Sequence, residues 1–570
     1  MQQAIQLRES LKNIHRKSYP AYKSLKGTYD FRDYTFSIDH VQGDPFAAPS
    51  SVSVSIPLKR TGFPELYYRE EHCRVALEDA LLRRFSDKIQ KFSFRANGSG
   101  KSGLISTSRC GQSVLHRSAL VITDTMLIAR FEIGFPANGR TINAPELEKI
   151  IFDFLPPAVT DSFYYKNWKK ETLQQVYELA ENQQFIRKEL EKRKLVAFCA
   201  DGSILPRVSG VSEKPMREAI PFVSPESLRV SMKLPFGEEI TGMGIPQGVT
   251  LIIGGGYHGK STLLQALEQG VYNHVRGDGR EYVITEDTAL KLRAEDGRSI
   301  RNLDLSLFIH DLPNRKNTHC FSTEDASGST SQAAAVMEGI EAGSHTFLID
   351  DDTSATNFLV RDAFMQQVVH GDKEPITPFF ARVGDLYEKA GISTILVAGS
   401  SGAFFHVADT VIQMDAYRPF DVKEKSDALL AQYPVPDFEK DSFRLPKEKR
   451  MFWGKTAKKS SGGHGGRGGR EDRMKTKVMG KDGFSLDHEM IDLRYVEQIT
   501  DTEQVAALSG MLKAILRENT AQISVEKAAE YLWQQMKRKG LECFFDGCPK
   551  CGYTEPRKQE IFLMLNRFRG

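Results

Sequence analysis

Two spacings of apolar residues divide the chain. Residues 1–165 carry short alternating runs broken by glycine turns, as in Ser51-Val52-Ser53-Val54-Ser55-Ile56. A period of two predicts strands with one buried face. Across residues 166–195 the apolar positions recur at mixed three- and four-residue spacing, with no Pro or Gly. That predicts an amphipathic helix linking the N-terminal part to the rest of the chain. From about residue 225, strand-like and helical runs alternate, as in an α/β unit. Val249–Ile253, Thr346–Asp350 and Thr394–Ala398 are continuous apolar runs that read as buried strands. Residues 503–517 and 525–539 read as helices of a small helical core. No fixed-period repeat is present, and no window approaches the 18 apolar residues of a membrane-spanning helix.

Length and composition alter this picture only modestly. The 570 residues suffice for three or four domains, and 40% hydrophobic with 26% charged residues is ordinary for a globular protein. The N-terminal MQQAIQLRESLKNIHRKSYP lacks an apolar signal segment, and seven cysteines form no disulfide framework. Both point to a cytoplasmic or other reducing compartment. The net charge of +3 hides an asymmetry. Lys440–Lys481 holds 14 Lys/Arg and 4 Asp/Glu, a net of +10 that leaves −7 for the remainder. Inside it, Ser460–Arg470 is a glycine run with Arg467 and Arg470, a composition that reads as a disordered linker. The expected organisation is an N-terminal α+β domain (1–165), a helical connection (166–220), an α/β core (221–435), a basic Gly/Arg-rich linker (436–482) and a mainly helical C-terminal domain (483–570).

Two segments resemble phosphate loops. In Gly254-Gly255-Gly256-Tyr257-His258-Gly259-Lys260-Ser261-Thr262, glycines let backbone N–H groups curl around phosphates. Lys260 can reach the β- and γ-phosphates, and the Ser261 hydroxyl can reach Mg²⁺. A strand precedes this loop and a helix comes after it, so a helix N-terminus faces the anion. Arg95-Ala96-Asn97-Gly98-Ser99-Gly100-Lys101-Ser102 lacks the leading glycine and is succeeded by strand, so it reads as a basic glycine turn. Thr346–Asp351 is an apolar strand ending in carboxylates, of the Walker B kind. Asp350 there helps hold Mg²⁺ and Asp351 can orient a water. Ala326–Gln332 is a small polar turn opening a helix, ending 18 residues before Asp350.

In order and spacing these segments resemble the nucleotide-binding domain of the ABC-class ATPases. Ser327-Gly328-Ser329-Thr330-Ser331-Gln332 is similar to the ABC signature Ser-Gly-Gly-Gln-x-Gln, and Asp350–Asn357 to the run joining Walker B to the D-loop. Asp39–Phe46, Gly242–Pro246, Ala294–Ser299, Phe321–Gln332 and Thr353–Phe358 narrow the resemblance to the soluble predicted ATPases of the ABC class. It covers residues 5–430, and 484–570 more weakly. It implies a P-loop ABC-type α/β core with family-specific flanks, and ATP and Mg²⁺ as cofactors. Gly254–Thr262, Ser327, Gly328 and Ser329 would contact ATP. Lys260, Asp350 and Asp351 would do the chemistry, with Ser261 and Asp350 on the metal. It also implies a head-to-tail homodimer in which each ATP lies between the phosphate loop of one copy and the signature of the other.

The chain departs from the ABC pattern in ways that predict slow hydrolysis. Asp351 stands where Glu is usual, one methylene shorter. The switch-histidine position holds Gly399 or Ser400, with His406 a few residues on. Phe308–Asp311 occupies the place of a Q-loop, without a glutamine. Tyr257 and His258 either contact nucleotide or pack against the loop.

The driven process is open between two classes. One is clamping or remodelling of nucleic acid, where the basic glycine run either contacts single-stranded RNA or other nucleic acid or is only a solvated linker. The other is an ATP-switched protein scaffold that touches no nucleic acid. No membrane partner is indicated. Lys91, Arg95, Lys101, Arg109 and Arg117 form a second basic group, expected to be a solvated face. Cys548-Pro549-Lys550-Cys551, with Cys543 nearby, lacks a second ligand pair and reads as free thiols rather than zinc.

Overall fold

The computed structural model describes residues 1–361, 374–399, 401–433, 442–452, 474–518 and 523–569. Its contacts divide the chain into two compact units, residues 1–181 with 535–555 and residues 182–534 with 556–570. The division falls inside the helix Lys170–Lys192, within the expected helical connection. That helix has no break, and its two ends serve different cores: Leu173 lies in the first and Ile186 and Leu190 in the second.

In the first unit, the alternating run becomes the strand Ser50–Pro57, paired antiparallel with Thr35–His40 and Met126–Ile133 in a seven-stranded sheet. Both faces of this strand are largely buried, so its serine side is not the water-facing side that a period of two suggests. Helix Glu71–Gln90 brings Leu77, Leu81, Leu82, Phe85 and Ile89 into the core. There Phe85 meets Phe131 edge-on at 5.4 Å and Phe163 at 4.8 Å.

The segment 535–555 completes this unit. Thr554 Oγ1 accepts from Arg117 Nη1 at 2.9 Å, Ser118 N–H donates to Tyr553 O at 2.9 Å, and Glu555 N–H donates to His116 O at 3.0 Å. Arg117 is therefore only 2% exposed, which corrects its assignment to a solvated basic face: a guanidinium enters the interior only where acceptors are waiting for it. Next to it, His116 Nδ1 lies 2.8 Å from Glu78 Oε2, while Glu78 Oε1 accepts the Ile122 N–H at 2.7 Å. Burial alone would lower the His116 pKa, but the Glu78 carboxylate outweighs it and holds the ring up at about 9. The imidazolium thus stabilises the folded unit fully below pH ~6.5, and this stability, up to ~3 kcal/mol, is lost as pH rises through about 9. Urea midpoints across that window are expected to fall more steeply for wild type than for His116→Gln.

In the second unit a six-stranded sheet runs in the order Leu290–Leu292, Thr346–Asp350, Ser393–Val397, Val249–Ile253, Thr410–Asp415, Arg418–Asp421. All neighbours are parallel except the last pair. The continuous apolar runs are buried on both faces, as parallel sheets require. A four-stranded antiparallel sheet joins Arg229–Lys233, Glu239–Pro246, Leu195–Ala200 and Val283–Thr285.

The C-terminal segment is mainly helical, as expected, with a short sheet ahead of its helices. Helices Thr502–Arg517, Val525–Lys539 and Lys558–Arg567 come after a three-stranded sheet of Thr476–Val478, Gly483–Leu486 and Glu489–Asp492. Parts of the expected linker are also structured. Phe452 is buried, its N–H donates to Ile523 O at 2.8 Å, and Arg450 donates to Glu341 at 2.6 Å. The run Ser460–Arg470 lies outside the described residues, as does Ser400. Among the described residues, no helix is long and apolar enough to cross a membrane.

Candidate functional site

The site collects at the C-terminal ends of the parallel strands, where the chain leaves the central strand Val249–Ile253 and where strand order reverses. Gly254 leaves that strand with φ +146°, and a Cβ there would lie 2.4 Å from Met414 O. Gly259 caps helix Lys260–Gln269 in the left-handed conformation, φ +96°, with the Tyr417 ring 2.7 Å from where a Cβ would sit. Both positions therefore exclude side chains. Among the described residues, the N–H groups from Gly255 to Thr262 have no hydrogen-bond partner. They form a row of donors at a helix N-terminus, the arrangement that accepts phosphate oxygens. Lys260 Nζ donates to Gly254 O at 2.8 Å and Gly255 O at 3.0 Å, so its ammonium already lies over the loop. Ser261 and Thr262 are half-buried in the first helical turn.

The alternatives for Tyr257 and His258 part here. Tyr257 has φ +64° and is fully exposed, so its ring does not pack on the loop. His258 turns back onto the hairpin: its Nδ1 accepts the Ala416 N–H at 3.0 Å and its carbonyl the Tyr417 N–H at 3.1 Å. Ala416 and Tyr417 both have positive φ, forming the two-residue turn of that hairpin. With neither Gly nor Asn in it, this turn leaves no sequence signal.

Asp350 ends its strand level with Val397, which is itself level with Ile252. The Asp350 backbone is thus two strand spacings from the strand that carries the phosphate loop, ~9–10 Å. Asp350 is buried, and its Oδ1 accepts the Asp352 N–H at 3.3 Å. Carboxylate oxygens of Asp350, Asp351 and Asp352 lie within 4.8 Å of one another. Asp351 Oδ2 accepts the Gly399 N–H at 2.6 Å, so the switch-histidine position contributes a backbone donor. Burial raises the Asp351 pKa above the ordinary carboxylate value; the Gly399 hydrogen bond opposes this, and Asp352 and Asp350 add to it. His406 ends the short helix Ala403–His406.

The signature turn opens helix Gly328–Glu341, with Ser327 at its N-cap and exposed. Ser329 is buried, and its hydroxyl donates to Asn357 Oδ1 at 2.6 Å. Gln332, fully buried, donates through Nε2 to Ser354 Oγ at 2.8 Å and accepts the Ala355 N–H through Oε1 at 2.7 Å. Ser354 Oγ in turn donates to Asp350 O at 2.8 Å. Signature helix and Walker B strand are therefore joined within one chain through Gln332 and Ser354. Among the described residues, no hydrogen bond joins Ser327–Gln332 to Gly254–Thr262.

The residues present fit ATP and a divalent ion: an open row of donors and a lysine for the phosphates, and oxygen donors on Ser261 and Asp350 for Mg²⁺. In the first unit, the Arg95–Ser102 turn has a structural use: Asn97 N–H donates to Glu146 Oε2 at 2.7 Å and Ser102 Oγ accepts the Ala137 N–H at 3.0 Å.

Known proteins resemble the chain in three segments. A family model described as "ATPase of the ABC class N-terminal" matches residues 4–166, one described as "P-loop domain" of ABC ATPases matches 169–449, and one described as "MRB1590 C-terminal domain" matches 475–570. The uncharacterized protein MJ1628 of Methanocaldococcus jannaschii is 31% identical over 229 residues, 39% of this chain. The chain thus spans 50% of that relative's length. Solved structures that resemble it include the ADP conformation of MJ1267, an ATP-binding cassette of an ABC transporter. It has 13% identity and a TM-score of 0.24, over 34% of this chain and 89% of that one. Another is cbiO1 from Clostridium perfringens, part of the ABC transporter complex cbiONQ. It has 12% identity and a TM-score of 0.25, over 41% of this chain and 91% of that one. At those scores the fold rests on the strand order and the family models.

Proposed function

The chain belongs to the ATPases of the ABC class, and on that premise we propose that it binds ATP-Mg²⁺ at Gly254–Thr262 and hydrolyses it slowly at a head-to-tail homodimer interface, clamping single-stranded RNA. The observation that supports this reading is the row of unpaired N–H groups at the end of a strand that lies two strand spacings from the one ending in Asp350.

In this reading Lys260 transfers its hydrogen bonds from the Gly254 and Gly255 carbonyls to phosphate oxygens, and the loop N–H groups take the rest. Ser261 and Asp350 would hold Mg²⁺, which when bound would supply positive charge against the phosphates. Asp351, fixed through Oδ2 by Gly399, keeps Oδ1 for a water; as the water oxygen bonds to the γ-phosphorus, the bond to the β–γ bridging oxygen breaks, ADP leaves, and Oδ1 takes up the water's proton. An aspartate reaches about 1 Å less far than a glutamate, which slows this step. Exposed Ser327 offers a hydroxyl and a helix N-terminus to the nucleotide of a second copy. The RNA assignment is supported by the net +10 of Lys440–Lys481.

Size-exclusion with light scattering tests this on wild type, Lys260→Ala and Ser327→Arg, with and without ATP-Mg²⁺ and a labelled single-stranded RNA. Wild type alone is expected to dimerise with ATP and carry the RNA, with binding that weakens as salt rises and is lost when residues 460–470 are deleted. Dimerisation without RNA would favour the protein scaffold. No effect of nucleotide on wild type would overturn the engine itself.

A further inference from the structure

In the first unit, outside the nucleotide site, three donors of mixed chemistry converge. His72 and Cys73 are the second and third residues of helix Glu71–Gln90, and Glu181 comes from helix Lys170–Lys192. Glu181 Oε1 lies 3.0 Å from His72 Nε2 and 3.0 Å from Cys73 Sγ, and the three donor atoms all fall within 4.8 Å of one another. Cys73 is 2% exposed, while His72 and Glu181 are partly open to solvent.

We propose that His72, Cys73 and Glu181 form a zinc-class divalent-cation site. One nitrogen, one sulfur and one carboxylate oxygen match the ligand preferences of Zn²⁺, and three protein ligands leave a fourth position for water. Tetrahedral zinc with ordinary bond lengths separates its ligand atoms by about 3.4–3.6 Å. The two separations to Glu181 Oε1, 3.0 Å each, are a few tenths of an ångström shorter, as hydrogen-bonded contacts are. In the metal-free cluster the Cys73 thiol donates to Glu181 Oε1, the oxygen that His72 Nε2 also meets. A cation releases the thiol proton to solvent and binds the Nε2 lone pair of the neutral imidazole, whose remaining proton then sits on Nδ1. The trio is separate in chemistry from Asp350–Asp352, which offers only oxygen and suits Mg²⁺.

Co²⁺ titration of the metal-free full chain tests the assignment, because a sulfur-to-cobalt charge-transfer band reports thiolate ligation and an all-oxygen site gives none. The band is expected to saturate near one ion per chain, to persist when Cys543, Cys548 and Cys551 are replaced together by Ser, and to disappear on adding Zn²⁺. It is expected to be lost in Cys73→Ser and weakened at least ~10-fold in affinity in His72→Gln, whose partly exposed position tolerates the change. No band in wild type, or a band that vanishes only with the three C-terminal cysteines, overturns the proposal and leaves a hydrogen-bonded trio.

Discussion

Replacing Asp351 by Asn is expected to lower ATP turnover ~10²–10⁴-fold while leaving nucleotide-dependent dimerisation intact. The two consequences separate because Asp351 has two oxygens with different tasks. Oδ2 accepts the Gly399 N–H, and an asparagine carbonyl can do the same. In the proposed reaction Oδ1 takes the attacking water's proton, which an amide N–H₂ cannot accept. The variant should bind ATP, close and stay closed, so phosphate release falls while the dimer peak persists. If Asp352 oriented the water instead, turnover would fall less than ~10-fold in Asp351→Asn and the large loss would move to Asp352→Asn. Because the Asp351 pKa is raised, the wild-type rate should also fall on acidification at a higher pH than an ordinary carboxylate would give.

The largest expected loss of stability lies behind the signature helix. Glu338 and Arg298 pair at 2.7 Å with both side chains under 10% exposed, and Arg298 also lies 3.8 Å from Glu295, which pairs in turn with Arg567. Removing Glu338 leaves a guanidinium in the interior with half its compensation gone, and its Nε already has no acceptor. Glu338→Ala is expected to cost ~3–5 kcal/mol in urea unfolding of the nucleotide-free chain. The paired change Arg298→Met with Glu338→Leu should recover most of that, since well-packed apolar residues replace a buried ion pair at little net cost. A double variant as unstable as the single one would show that the loss comes from packing rather than from a stranded charge.

Local features were the legible ones. The phosphate loop, its strand and its helix occupy one stretch of sequence and form as expected, as do the strands ending at Asp350 and Val397 and the helices near 502–517 and 525–539. Such elements depend on neighbours three or four residues away, and the periodicity records them. Features that depend on distant partners left no such record. Gly399 meets Asp351 across 48 residues, and Gln332 reaches Ser354 across 22. Arg117 looked like a surface charge because its acceptor is 437 positions away in sequence. The sheet at Thr476–Asp492 was hidden because its strands are three or four residues long, too short for alternation to show.

The shared C-terminal segment has a consequence for how the protein is made. Glu181 leaves the ribosome more than 350 residues before Lys537, which pairs with Glu71 and Glu555 in the same unit. At ordinary synthesis rates that gap is ~20–70 s. Through that interval the first-made unit lacks Thr554 for Arg117 and Glu542 for Arg130. It is a newborn chain with charges waiting for late-arriving partners, and it stays available to chaperones until translation is nearly complete. A premature stop after Gln534 would strip both units at once.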